Sequence, residues 1–119
     1  MTSRKIDVFD TMLRDGQQAS HPMSREVEIS IARALDDLGV DILEIGFAQS
    51  SGGDFQGIRN IIQEIKRPVL CVLARSKIED VEAAARSLNG AQHPRIHVFI
   101  GASDIHLLTI QRDWLLCGF

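Results

Sequence analysis

Short apolar runs alternate with helix-like segments along this chain, and that alternation is the strongest constraint on its fold. Four runs are predicted to be strands, and they are IDVF (6–9), DILEIGF (41–47), VLCVL (69–73) and IHVFI (96–100). The segments between them carry apolar residues at helical spacing. Strands that alternate with helices indicate βαβ units and a parallel sheet, and continuous apolar runs are typical of parallel strands buried on both faces. The sequence therefore predicts an α/β fold.

Each predicted helix has a start or a stop signal. Ser24 is the predicted N-cap of the first helix and Gly39 its stop. Asp54 is the predicted N-cap of the second helix, which Pro68 ends, and the Asn-Gly pair at 89–90 closes the third. The apolar positions are Val27, Ile31, Leu35 and Leu38, then Phe55, Ile58, Ile62 and Ile65, then Ile78, Val81, Ala85 and Leu88.

The spacing of the predicted strands limits the architecture further. A βα repeat of about 27 to 35 residues fits a doubly wound sheet or a (β/α)₈ barrel, and a complete barrel takes about 250 residues. The 119 residues would thus form about the first half of such a barrel, a single incomplete segment over 1–119. The apolar end, HLLTIQRDWLLCGF (106–119), breaks the pattern and has no predicted structure.

Composition excludes several classes of protein. The chain is 45% hydrophobic and 24% charged with a net charge of −3, which gives no reason to expect nucleic acid or an anionic membrane as a partner. No apolar run approaches the roughly 20 residues that span a bilayer, and the N-terminus lacks the apolar region of a signal peptide. Cys71 and Cys117 have neither metal-site nor disulfide-framework spacing. We expect a cytoplasmic protein.

Polar residues gather where the predicted strands end, which is where parallel α/β folds bind ligands. DTMLRDGQQ (10–18) follows the first strand, Glu44 lies within the second, Arg75 and Ser76 follow the third, and His97 lies in the fourth. A carboxylate such as Glu44 in a buried strand needs a partner, because unpaired burial is costly. These residues are predicted to form one polar pocket, with 10–18 as a wall.

Each of these features also has a simpler structural interpretation. Arg14 and Asp15 would fit a solvated pair of loop charges, and His97 alone would fit a hydrogen-bonded core histidine. The segment SSGGDF (50–55) could receive an anion at a helix start or serve as a flexible loop. It lacks both the P-loop lysine and the dinucleotide-binding glycine spacing.

Five stretches follow one another along the chain, and they are DTMLRDGQQ, LGVDILEIGF, SSGGDF, VLARSKIEDVEAA and RIHVFIGASDIH. Together and in this order they resemble the N-terminal part of the 2-isopropylmalate synthase family. These are (β/α)₈-barrel Claisen-condensing enzymes related to the homocitrate and citramalate synthases. The resemblance covers about residues 5–107 and leaves 108–119 unassigned. Met12 and Gln17 stand where the family more usually has Thr and Glu. The SxGDF and RIHVFI segments favour isopropylmalate synthase over homocitrate synthase.

The resemblance implies a reaction and a set of site residues. The family joins acetyl-CoA to 2-oxoisovalerate in leucine biosynthesis, with a divalent metal that chelates the 2-oxo acid. Asp15 matches the metal-ligating Asp, suited to Mg²⁺ or Mn²⁺, with Zn²⁺ as an alternative. Arg14 matches the Arg that binds the substrate and stabilises charge on its keto oxygen. The resemblance also implies catalytic roles for Gln18 and Glu44 near the reacting centre, and a substrate-binding role for His97.

One part of the family pattern is absent from these 119 residues. The family completes its metal site with a His-x-His pair, and no two of the four histidines here, at 21, 93, 97 and 106, have that spacing. One aspartate is not a metal site. We therefore expect a truncated or frame-disrupted synthase segment that is inactive alone and self-associates through its unpaired outer strands. The alternatives are a non-catalytic half-barrel fragment, a small ligand-binding α/β domain, or a citramalate or homocitrate synthase.

Overall fold

A computed structural model describes residues 4–19, 23–49 and 52–106 and contains one four-stranded sheet. All neighbouring strands are parallel and follow one another in chain order. The elements are β1 (Phe9–Asp10), α1 (Met12–Gly16), α2 (Arg25–Leu38), β2 (Ile42–Phe47), α3 (Gly52–Glu64), β3 (Val69–Arg75), α4 (Ile78–Ser87) and β4 (Pro94–Phe99). The predicted parallel α/β fold is confirmed. Sequential strand order is the order of a (β/α) barrel, whereas a doubly wound sheet changes direction at a switch point.

The first long helix begins and ends at its predicted signals. The Ser24 hydroxyl accepts a hydrogen bond from the Val27 N–H at 3.4 Å, and Gly39 ends α2 with a φ of 89°, a left-handed conformation that favours glycine. The N-cap predicted at Asp54 is wrong, because α3 begins at Gly52 and Asp54 lies in its first turn. A carboxylate in the first turn still interacts favourably with the helix dipole.

The core lies between the two central strands and the helices that cover them. Both faces of β2 and β3 are buried, as predicted for parallel strands. The outer strands differ from the prediction, because β4 is largely exposed and β1 spans only Phe9–Asp10. Within the described part of the chain no further strand pairs with β4. Val8 is still tied to β2 by its carbonyl, which accepts from the Ile42 N–H at 3.0 Å.

The buried face of α2 is rotated relative to its predicted apolar face. Val27 and Leu38 are exposed, whereas Glu28 and Ala32 are buried. The predicted positions Ile31 and Leu35 do pack against the core. A carboxylate therefore lies on the buried face of α2, at a position that the predicted apolar set does not include.

None of the described helices is both long and apolar enough to cross a membrane. The interval 106–119, which has no predicted structure, lies outside the described residues except for its first position.

Candidate functional site

The stretch DTMLRDGQQ folds into one helical turn directly after β1. The Asp10 carboxylate accepts a hydrogen bond from the Met12 N–H at 2.9 Å, and the Asp15 N–H donates to the Thr11 carbonyl at 2.9 Å. Leu13, on the inner side of this turn, is buried. The helical turn α1 therefore presents Arg14 and Asp15 at the carboxyl end of the sheet, and the two charges are paired on a helix rather than on a loop.

Four of the predicted site residues form one connected polar group. The Arg14 Nε donates to the Glu44 Oε2 at 3.0 Å, and an Arg14 terminal nitrogen lies 2.8 Å from the Asp15 Oδ1. On its other side, the Glu44 Oε1 is 2.7 Å from the His97 Nδ1. We call Asp15, Arg14, Glu44 and His97 the polar relay. It links α1, β2 and β4, which are distant in the sequence.

Glu44 is the centre of the polar relay. Its side chain is fully buried, and each of its carboxylate oxygens has a partner. The expectation that this carboxylate needs a partner is thus confirmed. A register irregularity follows it, between Glu44 and Gly46, where Gly46 has a φ of 155°. Irregularities of this kind re-aim side chains next to functional sites.

His97 is held in a defined orientation on the outer strand. Its Nδ1 is engaged by Glu44, and its ring meets Phe9 edge-on with 5.8 Å between centroids. The side chain remains 44% exposed. A cavity of about 350 Å³ lies beside it and is also lined by Phe9, Cys71 and Arg95. The Nε2 of His97 is therefore the ring nitrogen that can meet a ligand.

Asp15 is the most accessible member of the polar relay. Its side chain is 54% exposed, its Oδ1 faces Arg14, and its Oδ2 accepts a hydrogen bond from the Thr11 hydroxyl at 2.7 Å. A carboxylate oxygen suits a hard divalent cation. No group of three His, Cys, Asp or Glu side chains that could hold a metal exists among the described residues. Those residues alone do not fit a metal ion.

Gln18 and Arg75 are not joined to the polar relay. Gln18 is exposed at the end of α1, where its backbone N–H donates to the Asp15 carbonyl at 3.1 Å. Arg75 pairs instead with Asp80, at 2.5 Å and 2.9 Å, and its guanidinium lies 5.5 Å from the centre of the Phe47 ring. The Arg75 guanidinium holds the pKa of Asp80 below its usual value. This pair stabilises the start of α4.

Sequence reasoning missed Thr11 and Asp80, which support the polar side chains that it identified. Thr11 and Asp15 are four residues apart, so their contact would follow from the sequence only if α1 were predicted as a helix. Asp80 lies in the first turn of α4, where acidic residues are common for dipole reasons. From the sequence alone, neither residue can be distinguished from a polar residue at any other helix start.

Sequential β/α units with a polar group at the carboxyl ends of the strands define an α/β protein of the barrel class, whose ligand site lies at that face. A family model described as HMGL-like matches residues 5–114. The chain belongs to the HMGL-like family, whose domain is a TIM barrel.

Similar curated proteins agree on a more specific name. The chain is 47% identical over 104 residues to a 2-isopropylmalate synthase of Aquifex aeolicus, a match that covers 87% of this chain and 20% of that protein. It is 48% identical over 106 residues to the 2-isopropylmalate synthase of Cupriavidus necator, covering 88% and 21%. It is 42% identical over 114 residues to the 2-isopropylmalate synthase of Escherichia coli, a match that covers 95% of this chain and 22% of that protein. The resemblance found in the sequence is confirmed, and the chain spans about a fifth of the length of these relatives.

Proposed function

We propose that this chain supplies the first part of a 2-isopropylmalate synthase active site, in which acetyl-CoA condenses with 2-oxoisovalerate. The observation that carries the proposal is the polar relay, which gathers a cation, two carboxylates and an imidazole at the carboxyl ends of parallel strands. The names of the similar proteins support the same reaction.

Arg14 is the residue to which we assign the main electrostatic role. Attack on a keto carbon leaves negative charge on its oxygen, and a pre-oriented cation stabilises that charge. Glu44 fixes the Arg14 guanidinium through Nε and Asp15 pairs with one terminal nitrogen, so the other terminal nitrogen is the part that can face a substrate. Because Arg14 is only 21% exposed, its charge acts in an environment with little water.

His97 and Gln18 are assigned to the substrate, and Asp15 to a metal. The Nε2 of His97 would bind the 2-oxo acid, with Glu44 holding the ring. Gln18 would approach the reacting centre from the end of α1. Asp15 would supply one oxygen ligand to a divalent cation, which polarises the keto acid when it is bound. Its other ligands would come from outside the described residues.

A chimera tests whether these residues serve the reaction. Residues 5–106 would replace the matching segment of the Escherichia coli relative, and CoA release from acetyl-CoA would be followed with a thiol reagent in Mg²⁺ or Mn²⁺. We expect the chimera to be active with 2-oxoisovalerate and Arg14→Ala to lower kcat by about a hundredfold. Asp15→Ala should also weaken metal binding, whereas Arg14→Ala should largely spare it.

The control variant is Glu82→Gln. Glu82 is exposed on α4 and its ion pair with Arg86 is long, at 3.9 Å, so its loss should have little effect. An active chimera that tolerates both Arg14→Ala and Asp15→Ala would contradict the assignment. A preference for pyruvate or 2-oxoglutarate over 2-oxoisovalerate would favour a citramalate or homocitrate synthase. We propose that the 119-residue chain by itself is inactive, since its described residues contain no group of three side chains that could hold the metal. The same assay should then show only background.

A further inference from the structure

The helical turn that carries Arg14 and Asp15 is too short to be stable alone. Helix α1 has five residues, Met12–Gly16, and isolated helices shorter than about 12 residues are marginal in water. Its position must therefore come from contacts with the rest of the fold. Leu13 supplies an apolar anchor against the core, but one buried side chain does not fix the rotation of a helical turn.

Gln17 supplies a second, polar anchor at the end of the turn. Its amide oxygen lies against Gly46 of β2, where an added Cβ would be 3.2 Å away. A side-chain hydrogen bond from Gln17 also lowers the pKa of the Glu28 carboxyl in α2. The Gln17 side chain thus connects α1 to both β2 and α2.

Glu28 is an unusual partner, because its carboxylate is buried. The residue is 9% exposed, and its Oε2 lies so close to Gly57 of α3 that a Cβ there would be 3.3 Å away. Burial raises the pKa of Glu28, Asp54 of α3 raises it further, and the Gln17 hydrogen bond and Arg25 lower it. A buried carboxylate is costly unless it is hydrogen-bonded, so the hydrogen bond from Gln17 offsets part of the cost of burying Glu28.

We propose that Gln17 and Glu28 form a positioning pair that holds α1 on the sheet so that Arg14 meets Glu44. The functional meaning of the pair rests on the proposed function of the polar relay. An amide is the neutral complement of a carboxylate, whereas a glutamate at position 17 would place two carboxylates side by side against α3. The pair is a specific match between α1 and α2 in this chain.

A charge swap tests the pair in the 119-residue chain. Hydrogen exchange by mass spectrometry would be followed in the peptide 10–18, with far-UV circular dichroism to confirm that the fold is retained. Gln17→Glu should speed exchange in this peptide by about tenfold, because local opening of α1 becomes easier. Adding Glu28→Lys to Gln17→Glu restores opposite charges and should return exchange towards the wild-type rate.

Two further variants define the outcome. Gln17→Ala removes the hydrogen bond without adding charge, so it should speed exchange even if Gln17→Glu does not fold. Glu82→Gln, on the distant helix α4, should leave the peptide unchanged. Exchange at the wild-type rate in Gln17→Ala, or a double variant no slower in exchange than Gln17→Glu, would overturn the proposal.

Enzyme activity is a second measurement, and it would not change if the pair had only a structural role. In the chimera, Gln17→Glu should lower kcat by about tenfold, since a small misplacement of reacting groups is costly, and leave KM for acetyl-CoA nearly unchanged. The double variant should recover kcat. An inactive parent chimera would count against the proposed function, whereas the exchange measurement would still decide whether the pair holds α1.

Discussion

Replacement of Glu44 by Gln would test whether the buried carboxylate stabilises the fold through its charge. The substitution keeps the shape of the side chain, removes the negative charge and replaces one acceptor oxygen by an N–H₂ donor. Glu44 accepts from Arg14 at 3.0 Å and meets His97 at 2.7 Å. In the variant the amide oxygen can still accept from the charged Arg14 guanidinium, and the amide N–H₂ can donate to the His97 Nδ1, so both contacts can persist without the carboxylate charge.

The magnitude follows from the two contacts. Hydrogen bonds to charged groups contribute about 1.5–3 kcal/mol and neutral ones about 0.5–1.5 kcal/mol, so the loss is about 1 kcal/mol at His97 and at most about 1 kcal/mol at Arg14, whose guanidinium stays charged. Arg14 and His97 are 21% and 44% exposed, and water would compensate part of the loss. We expect Glu44→Gln to lower the free energy of unfolding by about 1–2 kcal/mol.

Urea unfolding followed by far-UV circular dichroism measures this difference, with the slope of the transition checked for two-state behaviour. Glu82→Gln is the matched control, because its ion pair with Arg86 is exposed and such pairs contribute about 0–1 kcal/mol. If Glu44→Gln and Glu82→Gln have the same effect, the charge of Glu44 does not stabilise the fold, and the reasoning is refuted.

Three other measurements address separate parts of the molecule. Asp80→Asn should cost about 2 kcal/mol at pH 7, because charged hydrogen bonds from Arg75 are lost. Since the pKa of Asp80 is lowered from 3.8, the contribution is complete above that pH and declines as the pH falls towards the lowered pKa of the folded state. A difference in urea unfolding that is as large at pH 3 as at pH 7 would contradict this. Burial raises the pKa of Cys71 to about 11, so iodoacetamide at pH 8 should modify it only after unfolding, as checked by peptide mass spectrometry. We also expect the chain to self-associate through β4, where Val98 is 49% exposed, and Val98→Lys to weaken that association in sedimentation experiments; a wild-type monomer at all concentrations would contradict it.

The elements whose signals are local were predictable from the sequence. Ser24 and Gly39 bound α2 as expected, and the apolar runs of β2 and β3 are buried on both faces. Each of these signals depends on residues close in the sequence, such as a cap or a continuous apolar run. The open outer edge of β4 followed from the half-barrel interpretation, whereas burial of both its faces, predicted from its apolar run, was wrong. That burial depends on what packs beyond the strand rather than on its own residues.

The residue types of the site and their location in the fold could be predicted from the sequence, but the individual side-chain contacts could not. Apolar runs and the chain order of strands place Arg14, Glu44 and His97 at one face, and the structure confirms that they meet. The role of Gln17 was missed because its two contacts, with Gly46 and Glu28, cross between elements. A buried carboxylate on a helix also violates the apolar pattern from which the buried face of α2 was predicted.

The register of the sheet explains how Glu44 and His97 meet although β3 lies between their strands. Glu44 pairs with Cys71, and Cys71 pairs with Arg95, so all three side chains share one face; His97, two residues after Arg95, shares it too. Cys71 is small and fully buried, and the Glu44 carboxylate contributes to its raised pKa, which places the two groups close together. A bulky side chain at position 71 would fill the space across which Glu44 reaches His97. The apolar run VLCVL therefore serves the site as well as the core, because its smallest side chain lies under the Glu44–His97 contact between β2 and β4.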